Sequence, residues 1–266
     1  MTVAKKETHP GEDKKMIQAD QEVLQKEEAE IIEVEKIVEK AEVKVEKNSF
    51  DTDKWSPKTK LGKQVKSQEI KDLGIVLDSG EKIKEPEIID VLIQNLETNF
   101  INIGQSKGKF GGGKRSIWRQ TQKKTMEGNR PKFSTLVAAG NKNGFAGIGT
   151  GKSKETVPAR VKAMRNAKLA MIKVRRGCGD WACGCGEAHS IPFKTEGKCG
   201  SVRVVLFPAP KGTGLCIEDE CKKILELAGI KDVYSRTFGQ TRSRLNRAYA
   251  CFYALKSLTK IKIDDK

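Results

Sequence analysis

From Ile117 onward the chain alternates apolar and polar positions in the way a half-buried strand requires. Phe133, Thr135 and Val137 interleave with Ser134, Leu136 and Ala138. Asn143-Gly144 is a two-residue hairpin signal that returns Phe145 to Gly149 as the next strand. After Ser153 the period lengthens, and a helix is expected over 155–174, with Val157, Val161, Met164 and Met171 on one side. Arg160, Lys162, Arg165, Lys168 and Lys173 supply its basic surface. Strands followed by a basic helix make a small α+β unit. A second unit follows a cysteine- and glycine-rich connection, Gly177 to Gly186. Its expected strands are 190–195, 199–207 and 231–238, with Val202, Val204 and Leu206 sharing a face. Its expected helices are 217–228, closed by Gly229, and 243–258, with a buried stripe of Leu245, Ala248, Phe252, Leu255 and Leu258.

Upstream the pattern is poorer. Leu24, Ile31, Val38 and Val45 fall seven apart in a Glu/Lys-rich stretch, which suits either a solvated tail or a helix that docks on a neighbour. Trp55 to Gly62 is expected to be a basic linker. Pro86 opens a run with Ile88, Ile89, Val91, Leu92 and Leu96 at helical spacing, and Ser106 to Arg115 is a glycine-rich loop with four basic residues. The expected division is an acidic extension over 1–54, a linker with one helix over 55–113, a basic domain over 114–176, the connection 177–186, and a βα domain over 187–266.

Charge sharpens this division. The 266 residues carry a formal net charge of +16, but residues 1–50 hold nine Lys/Arg against thirteen Asp/Glu. Residues 114–176 hold 17 Lys/Arg against only Glu127 and Glu155. Such an excess calls for a polyanion: RNA, DNA or an anionic membrane surface. A membrane span needs about 20 consecutive apolar residues, and the apolar runs here are as short as Val204 to Phe207. With no secretory signal pattern, a soluble cytoplasmic protein with no membrane partner is expected. In that setting seven cysteines read as reduced thiols or metal ligands rather than a disulfide framework.

Three motifs invite chemistry. The loop NKNGFAGIGTGKSKE, 141–155, ends in Gly151-Lys152-Ser153, but Ala146 stands where a phosphate-cradling loop needs its first glycine. Its glycines instead suit a close approach of backbones, with Lys152 and Lys154 free for phosphates. KGTG at 211–214 reads either as an anion-binding turn before a helix or as a plain tight turn. Cys178, Cys183 and Cys185, with His189 or Cys199, offer four soft ligands to a structural zinc ion. The spacing C-x4-C-x-C departs from paired C-x2-C, so free thiols stay open as the alternative, and no cofactor is required. Cys216, Cys221 and Cys251 suit core packing. Apart from His189, no residue suggests a general base, and no catalytic constellation is evident, so the chain is expected not to be an enzyme.

Several blocks in fixed order carry a family resemblance: WSPKTKLG at 55–62, EPEIIDVLI at 85–93, NKNGFAGIGTGKSKE at 141–155, KVRRGCGDWACGCG at 173–186, GKCGSVRVV at 197–205, FPAPKGTGL at 207–215 and ELAGIKDV at 226–233. From about Trp55 to the C-terminal helix the sequence resembles the S-five family of small-subunit ribosomal proteins, in its archaeal form. The resemblance implies an α+β fold, with a domain similar to double-stranded-RNA-binding modules followed by a second small βα domain. The N-terminal extension and the glycine-rich stretch inherit no assignment. The implied place is in the cytoplasmic ribosome, on small-subunit ribosomal RNA near where messenger RNA enters, beside ribosomal proteins four and eight. Roles in decoding accuracy and messenger unwinding are implied with it. An RNA-acting enzyme and a zinc-dependent nucleic-acid-binding regulator are the readings from other classes.

Basic side chains neutralise phosphates and release counterions, and an RNA helix offers a shallow minor groove read by shape. The candidate contact residues are Lys114, Arg115, Arg119, Lys123, Lys124, Arg130, Lys132, Lys142, Lys152, Lys154, Arg160, Arg165, Lys168, Arg175, Arg176 and Lys211. Trp118 suits either base stacking or packing.

Overall fold

The computed structural model describes residues 55–93, 95–106 and 115–260. The expected heptad helix and most of the glycine-rich loop, Lys114 included, lie outside them. Three short helices come first: α1 (Lys60–Lys66), α2 (Leu73–Asp78) and α3 (Glu87–Leu92). Thr59 caps α1 by accepting the Gly62 N–H at 3.1 Å, while Trp55, Leu61 and Val65 are buried. The segment read as a basic linker is therefore folded. Its few apolar side chains sit at helical spacing, a signal masked by the lysines between them.

The first sheet has the order β1 (Glu97–Ile101), β3 (Gly128–Gly140), β4 (Phe145–Ser153), β5 (Met171–Lys173), with β2 (Trp118–Thr125) also paired to β3. All of its pairings are antiparallel. Helix α4 (Thr156–Leu169) lies on one face. Its contact stripe is Ala159, Ala163 and Ala167, all fully buried, and it meets Gly147, Gly149 and Gly151 of β4. A Cβ added at Gly149 would stand 2.1 Å from Ala167 N, and one at Gly151 would stand 2.2 Å from Ala159 O. Alanines four apart on a helix and glycines two apart on a strand thus bring the two backbones close together. Thr135 adds a buried hydrogen bond across this contact, donating from Oγ1 to Ala159 O at 3.0 Å.

This reverses the expected helix face. Val157 and Val161 are 64% and 55% exposed, and Met171 belongs to β5 rather than to the helix. Branched side chains do not fit between backbones so close, so the smallest residues face the sheet although the sequence offers larger apolar ones.

The second sheet has the order β6 (Thr195–Cys199), β7 (Val202–Pro208), β9 (Val233–Phe238), β8 (Leu215–Cys216), with β8 parallel to β9. In place of the expected strands over 190–195 and 199–207, β6 begins at Thr195 and takes in Cys199, and β7 begins at Val202 after a turn at Gly200, at φ 61°. Helix α5 (Asp219–Ala228) packs against the first sheet and beside α6 (Arg244–Ser257), which lies on β6 and β7 of the second. Gly229, at φ 81°, ends α5 in the left-handed region. In α6 the observed stripe adds Ala250, Cys251 and Ala254, while Leu245 is only half-buried. Cys221 and Cys251 are core residues as expected, but Cys216 is exposed.

One continuous core joins the two sheets: Leu136, Ala138, Ala146 and Ile148 of the first pack with Ile224, Leu225 and Leu227 of α5. Polar ties seal the seam. Glu220 is buried and accepts Asn102 N–H at 2.9 Å, Arg244 Nη1 donates to Asn102 O at 3.1 Å, and Lys142 N–H donates to Leu227 O at 2.8 Å.

We expect Gly149→Val to destabilise the fold by about 3 kcal/mol or more through overpacking, while Val161→Ser changes stability by no more than about 0.5 kcal/mol. Urea unfolding midpoints measure both. An equal effect of the two substitutions contradicts the close-contact account.

Candidate nucleic-acid interface and thiol cluster

The pairing register assigns each candidate cation to a face. Arg119 stands opposite Ser134, Lys123 opposite Arg130, Thr121 opposite Lys132, and Ser134 opposite Lys152. Side chains alternate across a strand, so Arg119, Lys123, Arg130, Lys132 and Lys152 share one face. It is the same face whose other end, Leu136, Ala138, Ala146 and Ile148, enters the core. Lys124 falls on the opposite face, where α4 lies.

Beyond Phe133 the sheet narrows to a ribbon of β2 and β3 alone, and its residues are exposed on both sides. Lys123 directly opposite Arg130 sets like charges together, which opposes folding. Among the described residues, only Arg130 of this set has a carboxylate partner, the exposed Glu127 three residues before it. Arg119, Lys123, Lys132 and Lys152 have no ion-pair partner among the described residues. Lys154 and Arg165 are likewise exposed and unpaired there.

Other candidates are already engaged within the chain. Lys168 pairs with Asp90 at 2.7 Å, both half-buried, and so pins α4 to α3. Lys142 pairs with Glu97 at 2.6 Å and Lys211 with Glu187 at 2.7 Å. Arg176 donates to Asn143 Oδ1 at 2.6 Å. Arg160 lies over the rings of Trp118, at 4.9 Å, and Phe100, at 5.6 Å. Trp118 is thereby placed on the helix face beneath a guanidinium. Arg115 forms an isolated bridge with Ser106, and Arg175 is half-buried.

The connection folds into a second feature. Ligand atoms of Cys178, Cys183, Cys185 and His189 all lie within 4.8 Å of one another, and Cys199, on β6, is not among them. Cys183 Sγ is 3.3 Å from Cys185 Sγ and 3.7 Å from His189 Nε2. The other ring nitrogen, Nδ1, faces Asp232 Oδ2 at 2.8 Å. Asp232 Oδ1 accepts the N–H groups of Gly212, at 3.1 Å, and Gly214, at 2.8 Å. The KGTG turn thus binds an anion, but the anion is the protein's own carboxylate, and the turn leads into β8 rather than a helix. Partial desolvation raises the Cys178 thiol to about 11. The backbone N–H of Lys211 is the main cause that lowers Cys183 to about 6.

Asp232 is absent from any sequence reading of the cluster because it lies 43 residues from His189 with no motif to join them. The division of Lys123 from Lys124, by contrast, was available from strand alternation once the strand was placed.

A cation-bearing sheet face fused through a common core to a second α/β layer defines a binding scaffold. Residues 117–175 match the family model for the N-terminal domain of ribosomal protein S5, and residues 197–265 match the model for its C-terminal domain. The chain is 48% identical over 211 residues to the small ribosomal subunit protein uS5 of Nanoarchaeum equitans, covering 79% of this chain and 90% of that protein. It is 45% identical to that of Methanococcus maripaludis strain C6, over 82% and 89%, and 46% identical to that of Methanobrevibacter smithii, over 82% and 95%. The chain belongs to the ribosomal protein S5 family. It is of archaeal type, a structural protein of the small ribosomal subunit and not an enzyme. No helix among the described residues is long and apolar enough to cross a membrane.

Neutralising Arg119, Lys132 or Lys152 singly to Gln is expected to alter stability by less than about 0.5 kcal/mol, since none has an ion-pair partner among the described residues. Arg160→Ala is expected to cost about 1 kcal/mol through its two ring contacts. Thermal and urea unfolding of the four variants check this, and a larger loss at Lys132 or Lys152 than at Arg160 contradicts the assignment.

Proposed function

We propose that the chain holds small-subunit ribosomal RNA through the face bearing Arg119, Lys123, Arg130, Lys132 and Lys152, with Lys154 just beyond the end of β4; Arg165, on α4 behind the sheet, stands apart from that face. The single observation that carries this reading is that, among the described residues, most of these cations have no carboxylate partner, although the ribbon sets two of them directly opposite each other. Such an arrangement is stable when an external polyanion supplies the missing charge. A two-stranded ribbon with cations on one face fits the wide, shallow minor groove of an RNA helix and the phosphates beside it. In this reading residues 114–176 act as a module similar to double-stranded-RNA-binding domains. Residues 187–266 form the second βα domain, and Lys142, Lys168, Arg176 and Lys211 hold the protein together rather than the RNA. The thiol–imidazole cluster fastens the connection between the domains and is not a reacting centre.

The family resemblance supports a finer placement: near where messenger RNA enters, beside ribosomal proteins four and eight, with a contribution to decoding accuracy.

The test compares binding of the wild type and an Arg119→Gln, Lys123→Gln, Lys132→Gln, Lys152→Gln variant to archaeal small-subunit ribosomal RNA across a salt series. The slope of log affinity against log salt is expected to fall by about 1 for each phosphate contact removed. Lys124→Gln, on the other face, is expected to leave it unchanged. An unaltered slope in the quadruple variant places the contact face elsewhere. Co-sedimentation of each variant with small subunits reads assembly separately.

A further inference from the structure

We propose that Cys178, Cys183, Cys185 and His189 form a closed structural zinc site, with Asp232 as the outer-shell residue that orients the imidazole. The ligand set is the first argument. Three thiols and one imidazole nitrogen within 4.8 Å of one another match the number and softness of donors that tetrahedral zinc takes. The second argument is independent and lies outside the cluster. His189 is buried, and its Nδ1 faces Asp232 at 2.8 Å, which places the proton on that nitrogen and leaves the Nε2 lone pair directed at the thiols. Zinc-ligating histidines are held in this way by a carboxylate behind the ring.

Asp232 is itself fixed. It is buried, its Oδ1 accepts two backbone N–H groups of the 212–214 turn, and its N–H donates to His189 O at 3.2 Å. Four residues of the chain fill four coordination positions, so no position is left for water or a substrate. The ion is structural, in agreement with a protein that is not an enzyme.

A disulfide does not account for the geometry. Cys183 Sγ and Cys185 Sγ are 3.3 Å apart, well beyond the S–S bond length of about 2.05 Å. The cluster also has a mechanical task. Residues 178–185 contain no helix or strand, and the loop is anchored at its start by the bridge of Gly177 to Ser190. An ion bound at these four ligands ties the loop to His189, and through Asp232 to the start of β9.

The test is metal analysis of the full chain, purified without a metal-chelating tag and dialysed against zinc-free buffer. About one equivalent of zinc per chain is expected. Cys183→Ser and His189→Ala are expected to lose most of it, whereas Cys199→Ser and Cys216→Ser keep it. Cobalt exchanged for zinc is expected to give thiolate-to-metal charge-transfer bands and the intense visible bands of a tetrahedral ion. Asp232→Asn is expected to weaken zinc about 10- to 100-fold in competition with a chelator. If that variant does not fold, chelator titration of the wild type, followed by thiol reactivity, still decides. Wild type with less than about half an equivalent after exposure to zinc overturns the proposal. So does a cobalt spectrum without thiolate bands, a Cys183–Cys185 disulfide in unreduced protein, or retention of full zinc by Cys183→Ser. None of these readouts involves RNA, so failure here leaves the contact-face reading untouched.

Discussion

In a close-packed interior a helix approaches a sheet only as nearly as the side chains between them allow. Along Gly147, Gly149 and Gly151 that spacing is reduced almost to backbone against backbone, because Ala159, Ala163 and Ala167 are all that α4 interposes. The contact commits one face of β4 to α4, and the two-residue period of the strand then commits Ala146, Ile148, Thr150 and Lys152 to the other. On that other face the core and the cationic patch are continuous. Ala146 and Ile148 pack with α5, and Lys152 meets solvent a few residues further along the same strand. Moving one residue of register would exchange the two sets, burying Lys152 and exposing the glycines.

The positive charge is therefore divided by position rather than spread evenly. Cations that tie one element to another have carboxylate partners close by: Lys168 with Asp90, Lys173 with Asp78, Lys142 with Glu97. Those on the ribbon and at the end of β4 have few. A nearby carboxylate is what distinguishes the two groups of cations.

The larger elements were legible because their signals are local. The alternation after Phe133 and the glycine after Ala228 mark their elements correctly, whereas the hairpin connection runs over 141–144, with positive φ at Lys142 and Gly144, rather than as a two-residue Asn143-Gly144 turn. The face of α4 was not legible, because hydrophobic periodicity ranks valine above alanine and carries no knowledge of how near the sheet lies. The folded segment at 55–66 was missed for a related reason: Trp55, Leu61 and Val65 are buried among lysines that dominate its composition. The thiol cluster was half legible. Its donors are near in sequence, but the choice of His189 over Cys199 rests on Asp232, which only the fold brings to the ring.

Strand β2 pairs with β3 alone along its length, so its outer margin carries backbone N–H and C=O groups without a partner strand among the described residues. Such a margin invites a second molecule to add its own strand, the first step towards aggregation. Here the row of Arg119, Lys123 and Lys124 makes that approach a meeting of like charges, with Pro131 on the adjoining strand lacking a donor. In the proposed RNA-binding reading, the cations that would meet a polyanion are also the ones that set like charges against a second copy of this edge.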